Sequence, residues 1–154
     1  MKEIHVNLIR ATQADIPALY DLQLLAFESE AEMIGSRDVP ALLESREHHR
    51  QEFPNWITMK LVNDEGKIVG AIRYRPDGGI IDVGRLMVHP DYRRQGLAQR
   101  MLAEVDRACP DLTRELYTCT KSWINIRLYD KMGYRPVKEV TEPSGLSFVY
   151  MRKG

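Results

Sequence analysis

Residues 88–98, VHPDYRRQGLA, join a strand-like apolar run to a segment with the pattern of an amphipathic helix. Apolar and β-branched residues crowd the segment before it, and Pro90 cannot donate to a sheet ladder, so a strand is predicted to end there. Helical spacing follows in Leu97, Ala98, Met101, Leu102, Val105 and Ala108. The first turn of a helix leaves backbone N–H groups unpaired, and Gly96 has no Cβ to keep an anion away from them. The turn therefore predicts a phosphate-binding site at a helix N-terminus.

Two common phosphate loops are excluded by the residues themselves. The chain contains neither Gly-Lys followed by Ser or Thr nor Gly-x-Gly-x-x-Gly. A nucleotide-binding loop of either kind is therefore not expected.

A second informative stretch is TCTKSWINIRLYDKMGY, residues 118–134. Ser122 is suited to cap a helix whose apolar row is Ile124, Leu128 and Met132, and a left-handed Gly133 would end it. Asn125 and Tyr129 lie four residues apart, so both side chains project from one side of that helix. Taken alone, such a Tyr is usually half-buried packing and such an Asn is usually solvated.

Together the two stretches resemble the GNAT superfamily of N-acetyltransferases. Arg93-x-x-Gly96-x-Ala98 is similar to the family signature Arg/Gln-x-x-Gly-x-Gly/Ala, whose loop binds the pyrophosphate of acetyl-CoA, and residues 118–134 resemble its following strand, helix and Gly-aromatic exit. The resemblance implies that Asn125 orients pantetheine and that Tyr129 is the general acid for the departing thiolate. It also implies cofactor binding by the backbone of Leu86, Met87, Val88, Arg93, Arg94, Gln95, Gly96, Leu97 and Ala98.

Within that resemblance, the strand before the loop separates from its neighbour and leaves backbone groups free. The Met87 N–H would then stabilise negative charge on the acetyl oxygen, and apolar replacements of Met87 would be tolerated. In the loop, the backbone amides of Arg93 and Arg94 would matter more than their guanidinium groups.

The base that deprotonates the acceptor amine is less sharply indicated. Asp82 is the candidate, because it lies in an apolar strand where burial would raise its pKa. An ion pair with Arg85 or Arg73 is an equally good interpretation. His89 ranks below Asp82, and a water chain is a further alternative.

The composition excludes several classes of protein. The 154 residues suffice for one domain, residues 1–154, and 22 basic against 22 acidic residues leave no net charge to attract nucleic acid or a membrane. The start of the chain lacks the apolar core of a signal peptide, so a cytoplasmic protein is expected. Cys109 and Cys119 are expected to be reduced, and the spacing of the four histidines predicts no metal site.

The order of predicted elements favours an α+β fold of the GNAT type. Strands are predicted over residues 4–9, 56–62, 67–74, 80–88, 135–140 and 147–152, with another around Thr118. Helices are predicted from Thr12 to about Phe27, from Pro40 to Glu52, from Leu97 to Ala108 and from Ser122 to Gly133, with a polar connection over 28–38. The expected architecture is a mixed, mostly antiparallel sheet of six to seven strands flanked by about four helices.

The resemblance implies an acetyl-CoA-dependent enzyme that acetylates a primary amine of a small molecule or a protein by direct attack. A non-catalytic CoA-binding sensor or interaction module of the same fold is the main alternative, and an unrelated α/β protein with a fortuitous turn is the third. The acceptor stays open: Glu28, Glu30 and Glu32 would attract a cation, the run 48–50 an acidic group, and both are more commonly solvated. Other acyl groups and a homodimer stay open as well.

Overall fold

The computed structural model describes residues 5–154, which form one seven-stranded sheet in the order β1-β2-β3-β4-β5-β7-β6. Only β4 and β5 pair in parallel. The predicted class, α+β with a mixed and mostly antiparallel sheet, is confirmed. The predicted first strand began at Ile4, which lies outside the described residues. The strands are β1 (Val6–Arg10), β2 (Ile57–Asn63), β3 (Ile68–Asp77), β4 (Ile80–Val88), β5 (Arg114–Cys119), β6 (Arg135–Thr141) and β7 (Ser147–Lys153).

Five α-helices flank the described sheet, one more than the sequence predicts. They are α1 (Ile16–Ile34), α2 (Pro40–Leu43), α3 (Arg46–Glu52), α4 (Leu97–Ala108) and α5 (Trp123–Lys131). The extra helix arises because Glu44 and Ser45 are extended and divide the predicted second helix. The Ser45 hydroxyl then caps α3 by accepting a hydrogen bond from the His48 N–H at 3.0 Å.

Helix α1 is longer than its apolar pattern predicts. It continues past Phe27 to Ile34, because Ala31 and Ile34 are buried and Ile34 packs in a small cluster with Val39 and Phe148. Gly35, at φ +76°, ends the helix in the left-handed conformation. Residues 28–34 of the predicted polar connection are therefore the last third of a helix, and only its residues 35–38 lie between α1 and α2.

The two faces of the sheet are covered by different helices. Met101, Leu102 and Val105 of α4 are fully buried in the main core. Leu22 and Ala26 of α1 pack in a second cluster with buried residues of the central strands. Helix α1 and the α4 N-terminus are thereby held on either side of the end of β4.

The end of β4 is irregular in two ways that create a site. Its parallel pairing with β5 consists of Ile81 with Arg114 and Asp82 with Glu115, so beyond Asp82 the two strands separate. Its register with β3 shifts between Ala71 and Arg73, and in this bulge Arg85 adopts φ +46°. An open wedge with free backbone edges results.

Candidate functional site

Two cavities meet in the wedge between β4 and β5. The larger, of about 490 Å³, extends toward the loop before α4, and the smaller, of about 270 Å³, extends over the bulge of β4. Both are lined by Phe27, Glu30, Leu86 and Asn125. The wedge is therefore one continuous passage with two ends.

The phosphate loop predicted from sequence forms one wall of the larger cavity. Arg94 and Gly96 have φ of +62° and +76°, and no side chain caps α4. The first N–H groups of α4 are therefore available to a ligand. Of the six predicted loop residues, five line the cavity: Arg93, Arg94, Gly96, Leu97 and Ala98. Gln95 is exposed and does not line it.

The Arg93 guanidinium has a role that sequence does not predict. Its Nη2 donates to the carbonyl oxygen of Ala26 in α1 at 3.0 Å and to that of Val88 at 3.4 Å. Charged donors make the stronger kind of protein hydrogen bond. Arg93 thus ties α1, β4 and the loop together around the larger cavity, so its side chain matters as well as its backbone.

The direction of the backbone groups along β4 corrects the prediction for Met87. The His89 N–H donates to the Val69 carbonyl oxygen of the β3 side at 2.8 Å, and Met87 pairs with Ala71 in the same register. Backbone N–H groups alternate in direction along a strand, so residues two apart point to the same side. The Met87 N–H, two residues before that of His89, therefore also points to β3. The Met87 donor prediction is therefore wrong. Val88, whose carbonyl oxygen accepts from Arg93, instead directs its N–H into the wedge.

The Met87 side chain is a core residue. It is 4% exposed and packs in the α1 cluster with Leu22 and Ala26. Replacements that conserve volume should cost less than about 1.5 kcal/mol of stability, whereas Met87→Ala should cost about 2–5 kcal/mol. The expected tolerance of apolar replacements is thus restricted to side chains of similar size.

Glu30 stands at the junction of the two cavities. Its Oε1 accepts hydrogen bonds from Asn125 Nδ2 at 3.3 Å and from Thr118 Oγ1 at 3.5 Å. Burial raises the pKa of Glu30, although these hydrogen bonds and the Arg85 charge act in the opposite direction. The sequence alone favours a solvated Glu30, because the residues that contact it in the structure are distant in the chain.

Tyr129 lines the smaller cavity from α5. Its side chain is buried, and its ring lies 6.1 Å from that of Tyr134 at an angle of 60°. Burial, followed by the charge of Glu30, raises the pKa of the Tyr129 hydroxyl well above its usual range. The group therefore keeps its proton at neutral pH, as a general acid must.

Asp82 and His89, the two side chains considered as bases, differ in position. Asp82 lines the smaller cavity, and its Oδ2 lies 3.7 Å from Arg75 Nε rather than pairing with Arg73 or Arg85. Burial raises the pKa of Asp82 despite the Arg75 charge. His89 lines neither cavity, and its Nδ1 accepts a hydrogen bond from the Asp91 N–H at 3.1 Å in the turn after β4.

Residues 5–154 contain neither a metal-binding cluster nor a membrane-spanning helix. No group of three or more His, Cys, Asp or Glu side chains in that range is arranged to hold a metal ion. Within the same range, no helix has the length and apolar character needed to cross a membrane.

Known proteins match both the chain and its fold. A family model described as "Acetyltransferase (GNAT) domain" matches residues 38–154. The ribosomal-protein-S18-alanine N-acetyltransferase from Escherichia coli superposes with a TM-score of 0.77 at 17% identity, covering 97% of this chain and 93% of that one. The PaiA N-acetyltransferase from Thermoplasma acidophilum, solved in complex with coenzyme A, gives 0.74 at 16% identity and 97% and 99% coverage.

A curated relative is similar in sequence over part of its own length. The UPF0157 protein YqkA from Bacillus subtilis (strain 168) is 27% identical over 126 residues, which cover 81% of this chain and 36% of that protein. The chain thus corresponds to little more than a third of that relative.

Proposed function

Because the chain belongs to the GNAT acetyltransferase family, we propose that it transfers an acetyl group from acetyl-CoA to a primary amine by direct attack. The observation that carries the proposal is the passage at the wedge of β4 and β5. A loop of unpaired N–H groups forms a wall at one end, and carboxylates and a protonated tyrosine line the other. A cytoplasmic location and the identity of the acyl group belong to the same proposal.

The residues of the larger cavity fit the proposed cofactor. A Cβ added to Gly96 would meet no atom within 4 Å, so space is open directly over the N-terminus of α4. A pyrophosphate there would accept from the first N–H groups of α4 and meet the positive end of its dipole. Asn125 would hold the pantetheine arm. Bound acetyl-CoA supplies the activated acetyl thioester.

The acceptor amine must first lose a proton, and two carboxylates are candidates for the base. Glu30 is favoured because it touches both cavities and therefore stands where acceptor and thioester would meet. Asp82 lines the acceptor side alone and is partly neutralised by Arg75. A raised pKa brings either carboxylate closer to the value that suits a base at neutral pH.

Groups of this chain can supply the proton that the leaving sulfur needs in the remaining steps. The neutral amine forms the N–C bond as the C–S bond breaks, and the Tyr129 hydroxyl donates its proton to the leaving sulfur. The second proton of the attacking nitrogen restores the tyrosine by way of solvent. The Val88 N–H, which faces the wedge, would donate to the acetyl oxygen and so polarise the carbonyl.

The experiment measures CoA release from acetyl-CoA with a thiol reagent in the presence of a pool of amines. Release that depends on the amines and falls in Tyr129→Phe supports the transferase. Saturable acetyl-CoA binding without release supports the CoA-binding module instead. No effect of millimolar acetyl-CoA on thermal melting would refute both, because a ligand at about 100 times its Kd should stabilise by about 2.7 kcal/mol.

A further inference from the structure

The smaller cavity has an uneven distribution of charge. Its charged lining residues are three arginines and three carboxylates: Arg73, Arg75, Arg85, Glu30, Glu52 and Asp82. Glu30 belongs to the end shared with the larger cavity. Arg73 and Arg85 extend beyond the other end, where they line a small recess of about 20 Å³ together with Trp56. One end thus carries Glu30, and the other, the basic end, carries Arg73 and Arg85.

The carboxylates around the basic end already have partners. Asp82 pairs with Arg75, and Glu52 accepts a hydrogen bond from Asn55 Nδ2 at 2.9 Å. Glu44, which lies behind the cavity wall, is 3.6 Å from Arg85 Nη2. It is also held by Gln23 Nε2 and His48 Nδ1 at 2.9 and 2.6 Å. No carboxylate of the described residues lies within 4.0 Å of the Arg73 guanidinium.

Three buried donors at this end have no hydrogen-bond partner in the described part of the chain. They are Arg73 Nε, Arg85 Nε and Trp56 Nε1. A buried donor without a partner is costly, so groups of this kind are normally satisfied by water or by a ligand. Burial, and next the charge of Arg85, lowers the pKa of Arg73 to about 10. These donors therefore leave hydrogen-bonding capacity unused at the basic end.

The fold holds these donors in fixed positions. The Arg73 guanidinium carbon lies 4.1 Å from the centre of the Trp56 ring, and Arg75 lies at the same distance from that ring. Arg85 sits at the bulge of β4 with φ +46°, and its side chain is 16% exposed. Its charge acts on both Arg73 and Glu30, so it lies between the two ends.

From this arrangement we propose that the acceptor is a small amine that also carries a carboxylate, as a free amino acid does. The inference rests on the proposed transferase function and specifies its substrate class. The carboxylate accepts from Arg73, Arg85 and Trp56, in the manner that suits a guanidinium fork, while the amine is directed to Glu30 at the thioester. The volume of about 270 Å³ corresponds to roughly nine water molecules, which suits a small metabolite.

The test compares three acceptor pools by their rates of CoA release: free amino acids, the corresponding amino acid amides, and aminoalkyl phosphates. We expect release with the amino acids and little with the amides, because an amide cannot neutralise the arginines. Arg73→Gln and Arg85→Gln should each raise the KM of the best amino acid by about 10- to 100-fold. The KM of acetyl-CoA should stay unchanged.

Two further variants control for misfolding and for effects that any loss of an arginine would have. Trp56→Phe keeps an aromatic ring against Arg73 and Arg75 but removes one donor, so a smaller rise in the same KM is expected. Arg46→Gln is the matched control, because Arg46 also stacks on an aromatic ring, that of Tyr20, yet lines neither cavity. Arg46→Gln should leave the KM unchanged.

The outcomes separate the inference from the function on which it rests. Equal or faster release with the amides, or use of the phosphates alone, overturns the carboxylate inference and leaves the transferase standing. An amino acid preference that survives in both arginine variants overturns it as well. No release with any pool of amines overturns the inference together with the transferase.

Discussion

Replacing Gly96 by alanine tests whether the start of α4 holds the cofactor pyrophosphate. Gly96 has φ +76°, and a Cβ built on it has no neighbour within 4 Å. The substitution therefore causes no clash within the protein itself. It costs about 1–2 kcal/mol for placing an L-residue in the left-handed region, and it puts a methyl group where the phosphate oxygens would approach the N–H groups.

The chain offers a close control in Gly35. It too has φ +76° and no neighbour within 4 Å of a built Cβ, but it ends α1 and lines neither cavity. Gly35→Ala should therefore lose as much intrinsic stability as Gly96→Ala. For a domain of this size each kcal/mol corresponds to a fall in Tm of roughly 2–4 °C. Only the response to acetyl-CoA should distinguish the two variants.

The assay is a thermal melt with acetyl-CoA at about 100 times the Kd of the unmodified protein. The unmodified protein and Gly35→Ala should gain about 2.7 kcal/mol. A tenfold weaker Kd in Gly96→Ala would reduce the gain to about 1.4 kcal/mol. Arg94→Ala should keep most of the gain, because the exposed Arg94 side chain is not the proposed ligand. A full gain in Gly96→Ala, or an equal loss in Gly35→Ala, would refute the backbone cradle.

Three further predictions concern the chemistry and the scaffold. Tyr129→Phe should lower kcat by about 100-fold or more with the KM of acetyl-CoA unchanged, whereas Tyr134→Phe, whose hydroxyl lines neither cavity, should keep kcat. In a pH profile of kcat/KM, activity should fall as pH drops through the raised pKa of the base. Glu30→Gln should abolish that limb and Asp82→Asn should retain it; the opposite result would make Asp82 the base. Arg93→Ala should cost about 1–2 kcal/mol of stability in denaturant unfolding, because two carbonyl oxygens lose a charged donor, and an unchanged midpoint would contradict that role.

The features that sequence predicted correctly depend on neighbours in the chain. The strand that ends before Pro90, the helix from Leu97 to Ala108 and the helix carrying Asn125 and Tyr129 all follow from apolar periodicity and turn residues over a few positions. The wrong boundary of α1 follows from the same limit. Its last turns are half-polar, and only packing of Ile34 against distant residues decides that they are helical.

The sequence did not predict which side chains contact one another at the site. Glu30 meets Thr118 and Asn125 across separations of 88 and 95 residues, and Arg93 meets Ala26 across 67. No periodicity links positions so far apart, because packing of whole elements brings them together.

Local sequence was enough to predict the strand, the turn and the helix that follow one another along residues 80–98. Strand pairing decides which backbone groups of β4 are free, and the packing of whole elements decides where Arg73 and Arg85 lie. The physical reason is that one extra residue in a strand, at the Arg85 bulge, reverses the direction of every group beyond it. That residue becomes recognisable as a bulge only when β4 is paired with β3.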